Sequence, residues 1–299
     1  MLEKLIEKAE VLIESLPYIK SFYGKTFVIK YGGAAMINEE LKKDVIHNII
    51  LLKYIGINPV IVHGGGPMVT DYLNKMGVKT KFINGLRVTD DETMKIVQMV
   101  LVGNINQEIV SLLNLYGGKG VSMTGKDGSM IVARKRIPEI QYDSKGKNEK
   151  TIDLGFVGEI QKIDPQLILQ LSQSGYIPVI SPIGVGLNGE SYNINADEVA
   201  GEVAQALKAE KLIMLTDVDG IYEVPENKST KVNSLTSSKA LNMIQNNQIN
   251  GGMIPKVRAC LNAINNGVKR THIIDGKEKH SILLEIFTDK GIGTMVTKD

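Results

Sequence analysis

Asn58-Pro59-Val60-Ile61-Val62-His63-Gly64-Gly65-Gly66-Pro67 is the stretch on which the fold class turns. Its apolar run predicts a strand, and the three glycines with Pro67 predict a tight turn into a helix over about Met68–Met76. The same unit stands upstream. Thr26-Phe27-Val28-Ile29-Lys30 predicts a buried strand, Tyr31-Gly32-Gly33-Ala34-Ala35 a glycine turn, and Asn38–Tyr54 a helix. Downstream, a helix is predicted over about Asp90–Tyr116, and strands at 121–123, 130–133, 176–180, 212–215 and 271–274. Apolar strands interleaved with helices predict an α/β fold with a mainly parallel central sheet covered on both faces. Residues 141–151 are polar and predict an exposed hairpin tip. No repeat of fixed period runs through the chain. The best lobe boundary falls in the glycine-rich stretch Ile183–Gly189.

Ahead of the first strand, Leu2, Leu5, Ile6, Ala9, Leu12, Ile13 and Leu16 recur at helical spacing, and Pro17 is expected to end that helix. Its apolar stripe packs either on the chain's own core or on another subunit. With 299 residues and 43% hydrophobic content the chain can bury a full core. Its 35 basic and 33 acidic side chains nearly cancel, so no electrostatic footprint for nucleic acid or a membrane surface is expected. No apolar run reads as long as the roughly 20 residues that span a bilayer. The single cysteine, Cys260, excludes an intrachain disulfide and suits a reducing compartment. Its position in a predicted helix favours a packing role over a catalytic thiol. The acidic amino terminus (Glu3, Glu7, Glu10, Glu14) fits neither a transit nor a signal peptide. A cytoplasmic protein is therefore expected, or a stromal one if a plastid genome encodes it.

Two strand-to-glycine-to-helix turns on one sheet point to a phosphate site. Ligands collect outside the carboxyl ends of parallel strands, and helix amino termini aim N–H groups at anions. Three look-alikes fall away. Gly24-Lys25-Thr26 precedes its strand and lacks the first Walker glycine, since position 19 is Ile19. Gly184-Val185-Gly186-Leu187-Asn188-Gly189 has the spacing of a dinucleotide loop, yet no helix begins within it. His63-Gly64-Gly65-Gly66 resembles a lipase oxyanion loop, but the chain has no G-x-S-x-G elbow. His47, His63, His272 and His280 lack ligand spacing, so no zinc site built by the protein is expected.

Four polar clusters remain: Asn84–Thr89, Asn193–Asp197, Thr216–Tyr222 and Gly251–Lys256. Arg87, one of five arginines, is either a bidentate carboxylate clamp or a solvated side chain. Asn195 or Asp197 is either functional or a helix cap. Thr216-Asp217 follows a buried strand on the ligand edge, and Lys256 opens a helix after Pro255.

In their order along the chain these clusters resemble the amino-acid kinase family, and within it the N-acetyl-L-glutamate kinases. The resemblance runs from Lys30 to Val296. Its most specific segments are Asn84-Gly-Leu-Arg-Val-Thr89, Asn193-Ile-Asn-Ala-Asp197 and Gly252-Met-Ile-Pro-Lys256. It implies a three-layer αβα sandwich with an oligomerisation helix (residues 1–20), an acceptor lobe (21–185) and a nucleotide lobe (186–299). It implies ATP-dependent phosphorylation of the side-chain carboxylate of N-acetyl-L-glutamate, the second step of arginine synthesis. Lys30 and Lys256 would stabilise the transition state, Asp197 would hold both, and Gly33 and Gly65 would add backbone N–H donors. Arg87, Asn193, Asn195, Gly65 and Gly66 would hold the acceptor. Gly32, Thr216, Asp217, Val218, Gly220, Tyr222 and Met253 would line the nucleotide, with Mg²⁺ carried on ATP and no protein ligand for it.

The amino-terminal helix, Leu283–Phe287 and Gly291–Met295 resemble the arginine-sensitive branch. That implies a homo-hexamer built as a trimer of dimers, with L-arginine held by Tyr18, Lys211, His272, Glu285 and Gly291. A PII-type signalling protein is a further partner that the resemblance allows. An amino-acid sensor without catalysis, and a kinase for glutamate or aspartate, are the competing readings. Retention of Lys30, Asp197 and Lys256 speaks against the sensor.

Overall fold

A computed structural model describes the chain except for Met1, residues 143–148 and residues 225–226. The tip of the expected hairpin lies outside the described residues; its arms, Glu139–Tyr142 and Glu149–Ile152, pair antiparallel.

An eight-stranded sheet organises the molecule. Its strands lie in the order 234–236, 294–297, 270–275, 211–216, 26–31, 58–63, 177–181, 120–124. The last six run parallel to one another; 294–297 pairs antiparallel to 270–275 and carries 234–236 with it. Because side chains alternate across a strand, each strand feeds two cores. Val28, Val60, Val62, Ile180, Leu212 and Met214 face helices Ala196–Ala206 and Met253–Asn265. Phe27, Ile29, Ile61, Val179, Ile213 and Leu215 face helices Glu39–Tyr54 and Ser281–Ile286 and the helical run 91–115. This is the expected three-layer αβα arrangement.

A smaller sheet, ordered 191–193, 183–185, 131–135, 158–163, stands beside the large one. The G-x-G-x-x-G look-alike is the turn of its hairpin 183–185/191–193, and the expected lobe boundary falls in that same hairpin. A second hairpin, Phe82–Ile83 with Leu86–Arg87, turns at Asn84-Gly85. Both turn residues have positive φ, which suits Asn-Gly, and the turn delivers Arg87.

Two sequence expectations change. The first helix does not stop at Pro17; it runs Leu2–Phe22 with Pro17 inside. Proline there removes the bond to the Ile13 carbonyl, but that turn is exposed, so water can satisfy the freed group. Residues beyond it are anchored: Tyr18 meets Phe287 edge-on, and Phe22 packs edge-on against Phe27 at 5.2 Å. Before Pro17 the apolar stripe covers nothing; Leu2, Leu12 and Ile13 are about 70% exposed. The second change concerns the run Asp91–Leu115, which by length and composition alone is apolar enough to cross a membrane. In the fold it is a core helix, with Met94, Val97, Leu101, Ile105, Ile109 and Leu113 buried. Its centre, Met99–Asn106, is wound as a π-helix.

Candidate active site

Parallel strands bring their carboxyl ends to one edge. Tyr31 pairs with His63 there, and Thr216 with Asp275. The turns Gly32-Gly33 and Gly64-Gly65-Gly66 therefore sit side by side and wall a cavity of about 240 Å³, with Lys30, Arg87, Asn193 and Asp197 in its lining. Lys30 lies at the end of its strand. A side chain on Gly32 would meet the Lys30 Nζ at 2.6 Å, so glycine there leaves the lysine its path. Gly33 has φ 70°, and a Cβ on it would lie 2.4 Å from Asp217 Oδ1.

Asp197 joins the two lysines. Its Oδ1 is 3.0 Å from Lys30 Nζ, and its Oδ2 accepts a 2.7 Å hydrogen bond from Lys256 Nζ. Burial lowers the pKa of Lys30, partly offset by Asp197. Burial alone would raise the Asp197 carboxyl, but Lys30 and Lys256 outweigh it and hold the group below its usual range. Two cations thus share one buried anion, an excess of positive charge at the edge of the cavity.

Arg87 is buried at the other wall. Its guanidinium donates to Gly66 O (2.9 Å), Thr70 Oγ1 (2.7 Å) and Thr80 Oγ1 (2.5 Å), and it stacks 4.5 Å over the Phe82 ring. Arg87 is therefore part of the cavity and not a solvated surface side chain. Asn193 donates to Thr89 Oγ1 at 3.3 Å. Asn195 lines the cavity and also caps helix Ala196–Ala206, its Oδ1 accepting from the backbone N–H groups of Asp197 and Glu198. That cap aims Asp197, in the helix's first turn, at both lysines.

A second cavity, of about 280 Å³, is lined by Val218, Gly220, Tyr222 and Met253, expected to line the nucleotide, and by Asp219 and Ile221 of the same loop, while Asp217 is not in its lining. Lys228, Gln248, Ile249 and Asn250 line it too, and sequence reasoning missed them. They lie in polar stretches without a motif; the only signal was the neighbouring Gly251-Gly252 turn. Thr216 is buried under the loop, its hydroxyl bonded to both backbone groups of Val218, while Gly32 belongs to the first cavity. Helix Met253–Asn265 connects the two cavities: its first turn presents Met253 to one and Lys256 to Asp197 in the other.

Cys260 is buried, and burial pushes its thiol up to about 12, so no thiolate is available for chemistry.

The residues expected for a regulatory site also converge. Lys211 Nζ lies 3.0 Å from His272 Nε2, and His272 Nδ1 2.6 Å from Glu285 Oε1. Glu285 Oε2 accepts from the N–H groups of Ile292 and Gly293, and a Cβ on Gly291 would lie 2.7 Å from it. Tyr18 bonds Asp289 from the end of the first helix. Burial lowers the pKa of His272 in spite of Glu285, favouring a neutral ring whose Nδ1–H donates to the Glu285 carboxylate.

Sequence comparison assigns this architecture. The model described as "Amino acid kinase family" matches residues 25–275. The chain belongs to the amino acid kinase family. Within it, the chain falls among the acetylglutamate kinases, phosphotransferases with a carboxyl group as acceptor. The acetylglutamate kinase of Heliobacterium modesticaldum is 55% identical over 99% of both chains. That of Halothermothrix orenii is 53% identical over the full length of both. Among solved structures, N-acetylglutamate synthase from Neisseria gonorrhoeae, complexed with coenzyme A and N-acetyl-glutamate, superposes with a TM-score of 0.81 at 26% identity. The match covers 97% of this chain and 63% of the synthase. The same synthase has been solved with coenzyme A and L-arginine.

Proposed function

We propose that this kinase transfers the γ-phosphoryl group of ATP to the side-chain carboxylate of N-acetyl-L-glutamate, yielding N-acetyl-L-glutamyl 5-phosphate and ADP for arginine biosynthesis. One observation carries the reading: Lys30 and Asp197 line the same cavity that Arg87 closes at its other wall, and Lys256 reaches that Asp197 from the neighbouring helix. A carboxylate nucleophile has a pKa of about 4 and is ionised at neutral pH, so no general base is needed. The obstacle is an anion approaching a polyanion, and the remedy is positioning and positive charge. The acceptor lobe (21–185) would supply Lys30, Arg87 and the two glycine turns; the nucleotide lobe (186–299) would supply Asp197, Lys256 and the second cavity. Among the described residues no three His, Cys, Asp or Glu side chains cluster as a metal site. Mg²⁺ would enter on the ATP phosphates, since it keeps several waters and few protein ligands, and would supply charge neutralisation there. An acceptor panel tests the reading: ADP release should depend on N-acetyl-L-glutamate and be far weaker with glutamate or aspartate. Equal turnover of free glutamate would overturn it.

Feedback inhibition by L-arginine is the second part of the proposal. The uncovered stripe before Pro17 supports a partner subunit, and a homo-hexamer would bury it. Beside the end of that helix, Glu285, His272 and Lys211 form a buried polar cluster. The arginine complex of the related synthase adds support.

A further inference from the structure

Asn106, Ser181 and His63 form a buried polar line beneath the glycine turn, and none of them reaches the active-site cavity. The directions of its hydrogen bonds can be assigned. His63 Nδ1 lies 2.8 Å from Gly64 O, and a carbonyl only accepts, so Nδ1 carries the proton and Nε2 accepts. Burial pushes the His63 pKa down to about 4, so the ring is neutral. Ser181 Oγ is 2.9 Å from His63 Nε2 and donates to it. Asn106 Nδ2 then supplies its two hydrogens to Ser181 Oγ (2.8 Å) and Val179 O (2.9 Å). Its longer contacts, to His63 Nε2 (3.2 Å) and Met123 O (3.5 Å), share those hydrogens, as Leu101 O (3.4 Å) shares that of Ser181. Turning the amide over would set Oδ1 against the Val179 carbonyl, so the orientation is determined. Along the line the donors run one way, from Asn106 on the helix through Ser181 and His63 to the Gly64 carbonyl, while the second Asn106 hydrogen ties it to Val179 O on the sheet.

The line ends on one peptide group. In a trans peptide the C=O and the following N–H point in opposite directions. Drawing the Gly64 carbonyl down onto His63 turns the Gly65 N–H up, away from the core. Among the described residues no acceptor takes that N–H. The π-helical stretch closes the other side: a Cβ on Gly65 would lie 2.3 Å from Ile105 Cδ1 and 2.8 Å from Leu101 Cδ2. Leu101, Ile105 and Asn106 thus come from one irregular stretch of helix, of the kind found at functional sites.

We infer that Asn106, Ser181 and His63 are positioning residues for the phosphoryl-transfer step, holding the Gly64–Gly65 peptide so that the Gly65 N–H faces the transferring group. This rests on the kinase reading above. A preorganised amide stabilises the charge of the transition state without reorganising, and a freely rotating one does not.

Steady-state kinetics of the full-length enzyme test it. An Asn side chain places its amide nitrogen where His has Nδ1, and Gln where His has Nε2. His63→Gln and Ser181→Ala should each lower kcat about tenfold, less than the 10²–10³ for losing a donor outright, because the amide is misaimed and not removed. Acceptor and nucleotide KM should stay within about twofold, and His63→Asn should recover most of kcat. A rise in KM at constant kcat, or His63→Asn no better than His63→Gln, overturns the inference. Where the His63 variants do not fold, Ser181→Ala decides alone, since it removes one hydroxyl. ¹⁵N NMR of the parent gives a readout independent of activity: His63 should remain neutral and Nδ1-protonated from about pH 5 to 8. An Nε2–H tautomer there, or titration near 6.5, overturns the relay. If the parent does not phosphorylate N-acetyl-L-glutamate, the substrate reading fails, while the tautomer still decides the relay.

Discussion

Lys256 Nζ lies 2.7 Å from Asp197 Oδ2, and this bond ties the first turn of helix Met253–Asn265 to the first turn of helix Ala196–Ala206. Lys30 reaches the same carboxylate from the sheet at 3.0 Å. Three elements distant in sequence therefore meet on one buried anion, which keeps two cations close enough to act together.

Removing either cation tests that arrangement. Lys30→Ala or Lys256→Ala should lower kcat by about 10²-fold or more, the scale of one transition-state donor, with a smaller effect on acceptor KM. Turnover near that of the parent in either variant would show that the lysine is structural.

Arg87 tests the acceptor end. Lysine cannot reproduce the planar fork that now reaches Gly66 O, Thr70 and Thr80 at once. Arg87→Lys should raise the KM for N-acetyl-L-glutamate on the order of tenfold while the KM for ATP holds. Loss of ATP affinity without a change in acceptor KM would move Arg87 to the other cavity.

Lys211 makes stability depend on pH. Burial, reinforced by Arg270, pushes its pKa down to about 8 in spite of Glu285 and Glu210. The unfolded lysine titrates near 10.4, so between these values the unfolded chain holds the extra proton and stability rises with pH. Between about pH 7.5 and 9.5 the parent should gain roughly 2 kcal/mol relative to Lys211→Met in urea unfolding. Parallel pH profiles would place the ammonium in a solvated setting.

Two variants test regulation by arginine. Deleting residues 1–17 should leave an active enzyme of lower oligomeric order that responds weakly to arginine. Glu285→Ala should keep the parent's assembly and abolish inhibition, because the Glu285 carboxylate is the buried anion that His272 and the N–H groups of Ile292 and Gly293 hold in place. Light scattering and an arginine titration decide both. A full-length dimer, or an assembly indifferent to millimolar arginine, would separate regulation from the kinase reading.

The sequence by itself determined the layered α/β fold and the edge of the sheet where chemistry occurs. Both depend on local patterns: apolar runs too short for helices, glycines where the backbone must approach a ligand, and helical periodicity between them. Arg87, Lys30, Asp197 and Lys256 stood out as candidates in or beside polar and glycine-rich clusters, and their roles came from the family resemblance and not from local pattern. Tertiary structure decided what local pattern leaves open. Pro17 reads as a helix end, yet Phe22 on Phe27 and Tyr18 on Phe287 carry the helix past it. The run 91–115 is apolar enough for a bilayer, and only its packing under the sheet makes it a core helix. Lys228 and Gln248–Asn250 reach the second cavity through loops without a motif. The line from Asn106 through Ser181 to His63 joins residues 75 and 118 positions apart, and a hydrogen bond between distant segments leaves no periodicity for a sequence to display. Such bonds depend on distance in space, and here the parallel pairing of strands 58–63 and 177–181 supplies it.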